Sequence, residues 1–414
     1  MKKHTYVILA VIFSSFFALG MPDGAFGVAW PGIRSDLGQP LQRAGVLLII
    51  QFFFHALTSS HLGFISRYIK LEKMGVIGMA LMTLGFFAVS LAPNFTALAL
   101  VFVPVGIGMG LTDSSLSTYA VKSFTARQLN WLFCSWGLGA SIAPVVMVQI
   151  IMASSWRVGY ASIAAVQGAI VLIVVASFLK GFWVKREKLD EASQQHVLPK
   201  IYLTKNLHKI MAVACCFLYG SIEYSLGVWV TSVLMESRGM ELRLVGIYPA
   251  IYYACITGGR LIFGFWANKF TDTSIIRFGF CMSLVGLIIL FATSSILGMA
   301  LIGLGFAPIF PCLMHESGKR FNPKILTKLV GFQIAALGAG VAILASLIGL
   351  ILSRVSLEAL FPIVMVLIVM TLLINESLEK TMSGLNEPRK HHKGLKEEWP
   401  HAAIGRKGKT KNEA

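Results

Sequence analysis

Apolar runs separated by short polar stretches follow one another along nearly the whole chain. Each run holds about 20 residues, the length that an α-helix needs to cross the hydrocarbon core of a bilayer. The pattern predicts an all-α membrane protein with twelve membrane-spanning helices. They are placed at 6–30, 41–66, 74–92, 96–120, 128–153, 159–182, 209–234, 244–267, 274–295, 297–315, 326–352 and 357–375. The first run is too long for the apolar region of a signal peptide, so we expect it to be retained.

Composition and the distribution of charge agree with a membrane protein. Of the 414 residues, 56% are hydrophobic and only 13% are charged, whereas about 25% charged residues is usual in soluble proteins. The net charge of +17 arises mainly from Lys and Arg in the termini and the even-numbered connections. Because cytoplasmic loops carry an excess of these residues, both termini are predicted to be cytoplasmic. The basic excess thus follows membrane topology, and we expect the lipid bilayer, but no nucleic acid, as a partner.

A long basic segment divides the predicted helices into six and six. The stretch 20–28 carries Gly, an acid, Gly and Val at the same spacing as the stretch 220–228. Such echoes at a nearly constant offset indicate a duplicated six-helix unit, so the two bundles should be pseudo-symmetric. The predicted domains are an N-terminal six-helix bundle at 1–183, a cytoplasmic central loop at 184–208, a C-terminal six-helix bundle at 209–376 and a basic, disordered cytoplasmic tail at 377–414.

Three acidic residues, Asp23, Asp113 and Glu223, lie well inside predicted helices. Burying a carboxylate in the membrane costs several kcal/mol unless it has a partner, a watery cavity or a proton. A hydrogen bond that only joins two helices is one explanation. Asp23 and Glu223, however, occupy matching places in the two halves, where a central cavity would form. We therefore predict that the three acids take part in proton coupling, since a carboxylate can change its charge as its surroundings change.

Polar and aromatic residues near these acids are candidates for binding a substrate. The second predicted helix has a polar stripe on one face, because its members are spaced by three or four residues. The stripe consists of Gln51, His55, Thr58 and Ser59. Such groups suit a polyhydroxylated ligand, but they also form hydrogen bonds between helices, and membrane aromatics often simply pack. The candidate substrate-binding residues are Gln51, His55, Ser117, Asn130, Tyr224, Trp229 and Gln333.

Residues 1–380 resemble the major facilitator superfamily. The resemblance is carried by GMGLTDSSLSTYAV at 108–121, LNWLFCSWGLGASIAP at 129–144 and GLGFAPIFP at 303–311. Within the superfamily, these stretches are similar to the fucose permease and sodium-dependent glucose transporter-like branch. The resemblance implies two six-helix bundles and substrate or proton-coupling roles for Asp23 and Asp113. Ser117 stands where sugar permeases of this branch often have Asn, which weakens the assignment of a sugar.

The sequence departs from the superfamily at the motif that holds the cytoplasmic gate. The usual Gly-x-x-x-Asp-basic-x-Gly pattern has Arg67 in place of the Asp after Gly63, and Asn268 in that place in the second copy. Other charged residues, Arg260 with Glu316 and Lys319, are expected to substitute for the missing acid. The candidate gating residues are Gly63, Arg67, Arg260, Gly264, Asn268 and Lys269.

These features together predict a secondary active transporter that works by alternating access. The favoured activity is proton-coupled uptake of a sugar or similar small polar solute, and sodium coupling stays open. Proton-driven efflux of an amphipathic, drug-like compound is the alternative, and a membrane receptor that does not transport is a more remote one. Catalytic motifs and metal-type spacings are absent from the sequence, so we expect no enzyme, cofactor or metal site. We expect a monomer in the plasma membrane, which is the inner membrane of a bacterium.

Overall fold

The structure is a computed structural model that describes residues 2–123, 126–180, 205–266 and 270–386. Within these ranges the chain forms helices joined by short connections. The long helices are α1 (Lys2–Asp36), α2 (Arg43–Ser60), α3 (Leu71–Leu91), α4 (Phe95–Ser123), α5 (Ala126–Ala153), α6 (Trp156–Leu179), α7 (Asn206–Ser232), α8 (Ile247–Trp266), α9 (Asp272–Thr293), α10 (Ile296–Phe306 and Ile309–Arg320), α11 (Pro323–Gly340 and Ser346–Arg354) and α12 (Leu360–Asn386). A π-helical turn, Val233–Ser237, extends α7, and another, Val341–Ala345, joins the parts of α11.

The twelve predicted membrane helices correspond to α1–α12, so the predicted fold class is confirmed. Eleven candidate membrane spans are found in the described residues. The helix without one is α8, which has the length of a span but contains Tyr248, Tyr252 and Tyr253. All three tyrosines are buried inside the protein. These tyrosines contact other helices, since the Tyr248 hydroxyl donates to the Ser294 carbonyl and the Tyr252 ring packs against Phe306.

The same helix pairs pack together in both halves of the chain. In the first half α1 packs against α5, and α4 packs against both α2 and α3. In the second half α7 packs against α11, and α10 packs against both α8 and α9. Each pairing in one half thus has its counterpart six helices later, which is the arrangement expected of two six-helix bundles that are repeats of each other.

The two halves meet most closely at one end of the bundle. The described residues begin at Lys2 and end at Asn386 on the other side, here called the terminal end, and the end away from it is called the opposite end. Toward the opposite end, a Cβ added to Gly27 of α1 would lie 2.5 Å from the carbonyl oxygen of Gly227 in α7. The Ser346 hydroxyl of α11 donates to the Gly45 carbonyl of α2 at 3.0 Å.

An ion pair adds to this closure at the opposite end. Arg34 in the last turn of α1 pairs with Glu236 at the end of α7. Both side chains are about three-quarters buried, since each is 25% exposed. Backbone contact through glycine, one hydroxyl bond and one ion pair therefore close the space between the halves on this side.

Two helices run further than the sequence predicted. The first predicted helix ended at residue 30, just before Pro31, but α1 continues to Asp36. Its last turns are held because Trp30 donates to the Leu41 carbonyl and Asp36 accepts from Arg157. The last helix, α12, continues to Asn386 and includes residues assigned to the tail. There Leu378 and Met382 pack on Phe321, which supplies the apolar contact that a disordered tail would lack.

Candidate functional site

A cavity of about 470 Å³ lies between the two halves. Residues of α1, α2, α4 and α5 line one side, and residues of α7, α8, α10 and α11 line the other. Most of the lining residues are apolar or aromatic, including Phe16, Phe52, Phe133, Trp136 and Phe310. The ionisable lining residues are Asp23, His55, Asp113, Glu223 and Arg260. The cavity thus combines an apolar wall with five groups that can carry charge.

Asp23 is the most buried acid of the cavity, with 8% of the residue exposed. Its carboxylate accepts hydrogen bonds from the indole Nε1 of Trp136 at 3.2 Å and from the Tyr224 hydroxyl at 3.5 Å. Trp136 belongs to α5 in the same half, whereas Tyr224 belongs to α7. Both donors are neutral, so the charge of Asp23 is opposed by no cation in these bonds, and its protonation responds strongly to its surroundings.

The backbone next to Asp23 is interrupted by a proline. Pro22 has no N–H group, so the carbonyl of Ala18 loses the helical hydrogen bond that it would otherwise accept. The side-chain amide of Gln167, on α6, donates to that carbonyl at 2.9 Å. A polar residue of a neighbouring helix therefore satisfies the backbone at the level of Asp23 and fixes how α1 and α6 pack.

Asp113 lies on α4 and is more open to solvent than Asp23. Its side chain is 42% exposed, and its Oδ2 lies 3.5 Å from Nε2 of His55 on α2. The Ser117 hydroxyl, one turn further along α4, donates to its Oδ1 at 3.2 Å. One turn before Ser117 on the same helix, Ser114 donates to Ser59 of α2 at 2.7 Å. Asp113, His55 and Ser117 thus form a polar cluster between α2 and α4 at the cavity.

Glu223 faces the cavity from α7, in the place that matches Asp23. Its Oε1 lies 3.6 Å from Nη2 of Arg260 on α8, and each side chain is 15% exposed. The backbone carbonyl of Glu223 accepts a hydrogen bond from the Tyr252 hydroxyl at 2.9 Å. Arg260 was grouped with the gate residues from the sequence, but in the structure it lines the cavity. It lies there because Gly259 and Arg260 are on the side of α8 that packs toward α10 and α7.

Three of the predicted substrate-binding residues make hydrogen bonds inside the helix bundle. The Trp229 indole donates to the Ala345 carbonyl at 3.0 Å, and the side chain is fully buried. Gln333 donates to the Ala212 carbonyl and to the Ser317 hydroxyl. Gln51 lies against the sulfur of Met109 at 3.2 Å. These side chains join helices and are not among the residues that line the cavity, whereas Tyr224 reaches it through its bond to Asp23.

The remaining predicted residues lie away from the cavity or outside the described residues. Gly63 and Arg67 lie in an exposed segment that follows α2, around the short helix Leu62–Ile65. Gly264 is part of α8 and Asn130 is part of α5, but the side-chain surroundings at both positions lie outside the description. Asn268 and Lys269 lie outside the described residues altogether.

A charged network at the terminal end includes the two other residues expected at the gate. Asp272, in the first turn of α9, lies 2.7 Å from Nδ1 of His315 and 2.5 Å from Nζ of Lys319. Glu316 lies 3.2 Å from Nε of Arg320, which also reaches Glu379 of α12 at 3.0 Å. In the second half, the acid that pairs with residues of α10 is therefore Asp272. It does not stand at the motif position, which is residue 268.

The phenylalanines of the cavity wall were not among the candidates named from the sequence. Phe52 precedes His55 by three residues, and Phe133 precedes Trp136 by the same spacing. Residues three or four apart share one face of a helix. A phenylalanine three residues before His55 or Trp136 was thus the sequence signal that could have predicted the aromatic wall.

A solvent-accessible cavity with titratable walls, between two duplicated six-helix bundles that span the membrane, is the arrangement of a membrane transporter rather than an enzyme. Comparison with known proteins agrees. The model of the Major Facilitator Superfamily matches residues 12–316. The chain belongs to this superfamily.

Individual relatives are distant. The chain is 21% identical over 272 residues to the probable sulfoacetate transporter SauU of Cupriavidus necator, a match that covers 60% of this chain and 61% of that protein. It is 22% identical over 360 residues to an uncharacterized MFS-type transporter of Yersinia pestis, covering 86% of this chain and 91% of the relative. A crystal structure of a mutant of the nucleoside transporter NupG is similar in fold, with a TM-score of 0.72, 12% identity and coverage of 90% of this chain and 99% of that one.

Proposed function

We propose that this protein is a proton-coupled secondary transporter that works by alternating access. The observation that supports it best is the grouping of Asp23, Asp113 and Glu223 around one cavity between the two halves. Carboxylates inside a membrane protein are costly and mark ion or substrate pathways. The three acids have three different environments, so that each can exchange a proton at a different step of the cycle.

The environments suggest an order of proton movement. Asp113 is the most exposed acid and has an imidazole 3.5 Å away, so it exchanges protons with water that enters the cavity. Asp23 is buried beside neutral donors and carries the proton while the cavity is closed. Sodium would occupy the same carboxylates, and the proton is preferred because His55 faces Asp113.

The cavity walls favour an amphipathic solute over a sugar. A sugar needs many neutral donors and acceptors, but Gln51 and Gln333 use their amides to join helices. Phenylalanines and Trp136 supply most of the wall instead. Uptake of a sugar, as in the fucose permease and sodium-dependent glucose transporter-like branch, thus has less support than movement of an amphipathic compound, in either direction. SauU is named for sulfoacetate, a small organic anion, which adds a third substrate class.

The topology completes the proposal. The basic connections support cytoplasmic termini, and with that orientation the opposite end, which is closed in this structure, faces outward. The cavity then communicates with the cytoplasm. We expect a monomer in the bacterial inner membrane, because each chain carries both halves of the cavity.

The test measures proton movement in proteoliposomes that contain a pH-sensitive dye. A hexose, a deoxyhexose, an amphipathic dye and sulfoacetate are added one at a time to the wild type, Asp23→Asn, Asp113→Asn and Glu241→Gln. Glu241 is an exposed acid that does not line the cavity, so its variant is the matched control. We expect one substrate class to drive a pH change that is lost in both cavity variants and kept in the control.

Two results would count against the proposal. Substrate-driven proton flux that persists in Asp23→Asn and Asp113→Asn would show that these acids do not couple transport. Substrate movement that needs sodium and leaves the pH unchanged would replace proton coupling by sodium coupling.

A further inference from the structure

Among the described residues that line the cavity, Arg260 is the only arginine, and not all of its hydrogen-bonding groups have a partner. Its Nη2 lies 3.6 Å from Glu223, which is an ion pair but is too long for a hydrogen bond. Its Nε is buried and has no hydrogen-bond partner among the described residues. The Tyr219 hydroxyl accepts a hydrogen bond from the guanidinium and donates its own proton to the Phe306 carbonyl. Arg260 therefore has a neutral partner in Tyr219, but its guanidinium forms no two-bond contact with an oxyanion among the described residues.

In two other arginines of the same half, the guanidinium forms two hydrogen bonds with one carboxylate. Arg277 binds both oxygens of Glu376 through Nε and Nη2 at 2.6 Å each. Arg238 binds both oxygens of Glu358 through the same two nitrogens, at 2.9 and 2.7 Å. This two-bond geometry is the one that a guanidinium prefers with a planar oxyanion. Arg260 is more buried than Arg277, yet it makes neither bond.

The difference between Arg260 and the other two arginines matters because Arg260 is buried away from water. A buried guanidinium with few hydrogen bonds is unfavourable unless another group supplies the missing ones, because it has left water without replacing all of the lost bonds. Arg260 faces a cavity of about 470 Å³, and a ligand there can supply the missing oxygens. The cavity is within the size range of small-molecule sites.

The remaining wall determines the rest of such a ligand. Phe310, Pro311 and Leu337 line the same cavity from the second half, and Phe16, Phe133 and Trp136 line it from the first. These side chains offer contact to an apolar or aromatic body and few hydrogen bonds. Asp23 and Asp113 lie on the far wall, in the first half, and would repel a second negative charge while they are ionised.

We propose that the transported substrate is an organic monoanion with an apolar body, whose carboxylate or sulfonate is bound by the guanidinium of Arg260. This inference rests on the proposed transport function and names its substrate class. Glu223 competes for the same guanidinium. When the anion binds the guanidinium of Arg260, Glu223 loses its counter-charge and takes up a proton from cavity water. One anion and one proton therefore enter the site together.

The groups that act on Glu223 come from several helices. Arg260, Tyr252 and Tyr253 face it from α8, and Tyr219 faces it from its own helix. Asp23 of α1 shares Tyr253 with it, and Cys134 of α5 interacts with Arg260. Arg260 is the only cation of this set. Binding of an anionic ligand to Arg260 is therefore expected to change the protonation of Glu223.

Calorimetric titration of the purified protein in detergent tests the anchor. The probes are phenylacetate and phenylmethanesulfonate, with phenylacetamide as the neutral isostere and phenethylamine as the cation. The proteins are the wild type, Arg260→Gln, Arg260→Lys, Glu223→Gln and Arg277→Gln. Arg277 is an exposed, ion-paired arginine of the same half outside the cavity. Repeating the titration in buffers of different ionisation enthalpy counts the protons taken up on binding.

We expect the anions to bind at least about tenfold more tightly than the amide, since a charge-assisted bidentate pair is lost with the amide. Arg260→Gln should remove this preference, Arg260→Lys should keep part of it, and Arg277→Gln should keep all of it. Anion binding should take up a proton in the wild type but not in Glu223→Gln, which should bind the anions more tightly because the competing carboxylate is gone.

Other outcomes overturn the inference. If the amide or the amine binds as well as the anions, or if a folded Arg260→Gln binds them like the wild type, Arg260 is not an anion anchor. Failure of every probe to bind above the amide has the same meaning. Proton flux driven by a neutral or cationic substrate would refute this inference and leave the proposed transport intact. Anion binding through Arg260 without any proton flux would do the reverse.

Discussion

Asp23 in α1 and Glu223 in α7 occupy matching positions in the two halves, but their partners differ. Asp23 accepts hydrogen bonds from Trp136 and Tyr224, which are neutral. Glu223 faces the guanidinium of Arg260. The backbones differ as well, since Asp23 follows Pro22 whereas Glu223 follows Ile222. Duplication thus places an acid at the same level of both bundles, and residues from neighbouring helices then give each acid a separate environment.

Breaking the charged pair should have the largest effect on stability. Removing one partner of a buried ion pair typically costs about 3–5 kcal/mol, because the other charge stays buried without compensation. Arg260→Gln should therefore lower the free energy of unfolding by about that amount at neutral pH. Glu223→Gln/Arg260→Gln should recover most of the loss. Unfolding in detergent, followed by circular dichroism, measures both, and equal losses in the single and double variants would contradict the pairing.

Removing a donor from Asp23 should have a smaller effect that depends on pH. Trp136→Phe keeps the aromatic wall but deletes the indole N–H that binds the carboxylate. A hydrogen bond to a charged group is worth about 1.5–3 kcal/mol, and it is stronger for the ionised acid. The variant should favour the protonated acid, so the pH profile of transport should move to higher pH. A matched Trp131→Phe, in the same helix and half exposed, should leave the profile in place.

The proline next to Asp23 gives a third, smaller test. Gln167→Leu removes the donor that binds the Ala18 carbonyl. Hydrogen bonds between membrane helices average about 0.6 kcal/mol, and an unsatisfied buried carbonyl raises the cost to about 1 kcal/mol. The melting temperature should fall slightly. Gln167→Glu would be protonated in this fully buried place and could donate its O–H to the same carbonyl, so it should recover part of the loss.

Neutralising Asp23 itself should affect stability least. Asp23→Asn keeps an oxygen acceptor for Trp136 and Tyr224 and removes a buried charge, so stability should change by less than about 1 kcal/mol. Transport coupling should nevertheless be lost. A melting temperature close to that of the wild type, with no proton flux, would separate the role of Asp23 from that of Glu223, whose loss leaves Arg260 unpaired.

Much of the fold follows from the sequence because long apolar runs determine membrane helices directly. The matched acids were also visible, since Asp23 and Glu223 are exactly two hundred positions apart. The ends of the helices were less predictable. Pro31 reads as a stop, but Trp30 and Asp36 make tertiary contacts that continue α1 beyond it. Such contacts depend on residues far along the chain.

The partners of the cavity residues could not be read from spacing. Arg260 lies 37 positions after Glu223, and only the packing of α8 beside α7 brings them together. The sequence suggested Trp229 and Gln333 as ligand-binding residues, yet both donate hydrogen bonds to backbone carbonyls of neighbouring helices. Helical periodicity gives the face of a residue relative to its own helix, but it does not give which neighbour that face meets.

The closure at the opposite end has a consequence for how the carrier responds to ionic strength. Only part of that closure is glycine packing, and the Arg34–Glu236 pair is one-quarter exposed on each side. Dissolved salt screens exposed charges over a Debye length of about 8 Å at physiological concentration, but a pair that is three-quarters buried is screened much less. A change in the ionic strength of the medium should therefore leave the contact between the halves at this end largely intact.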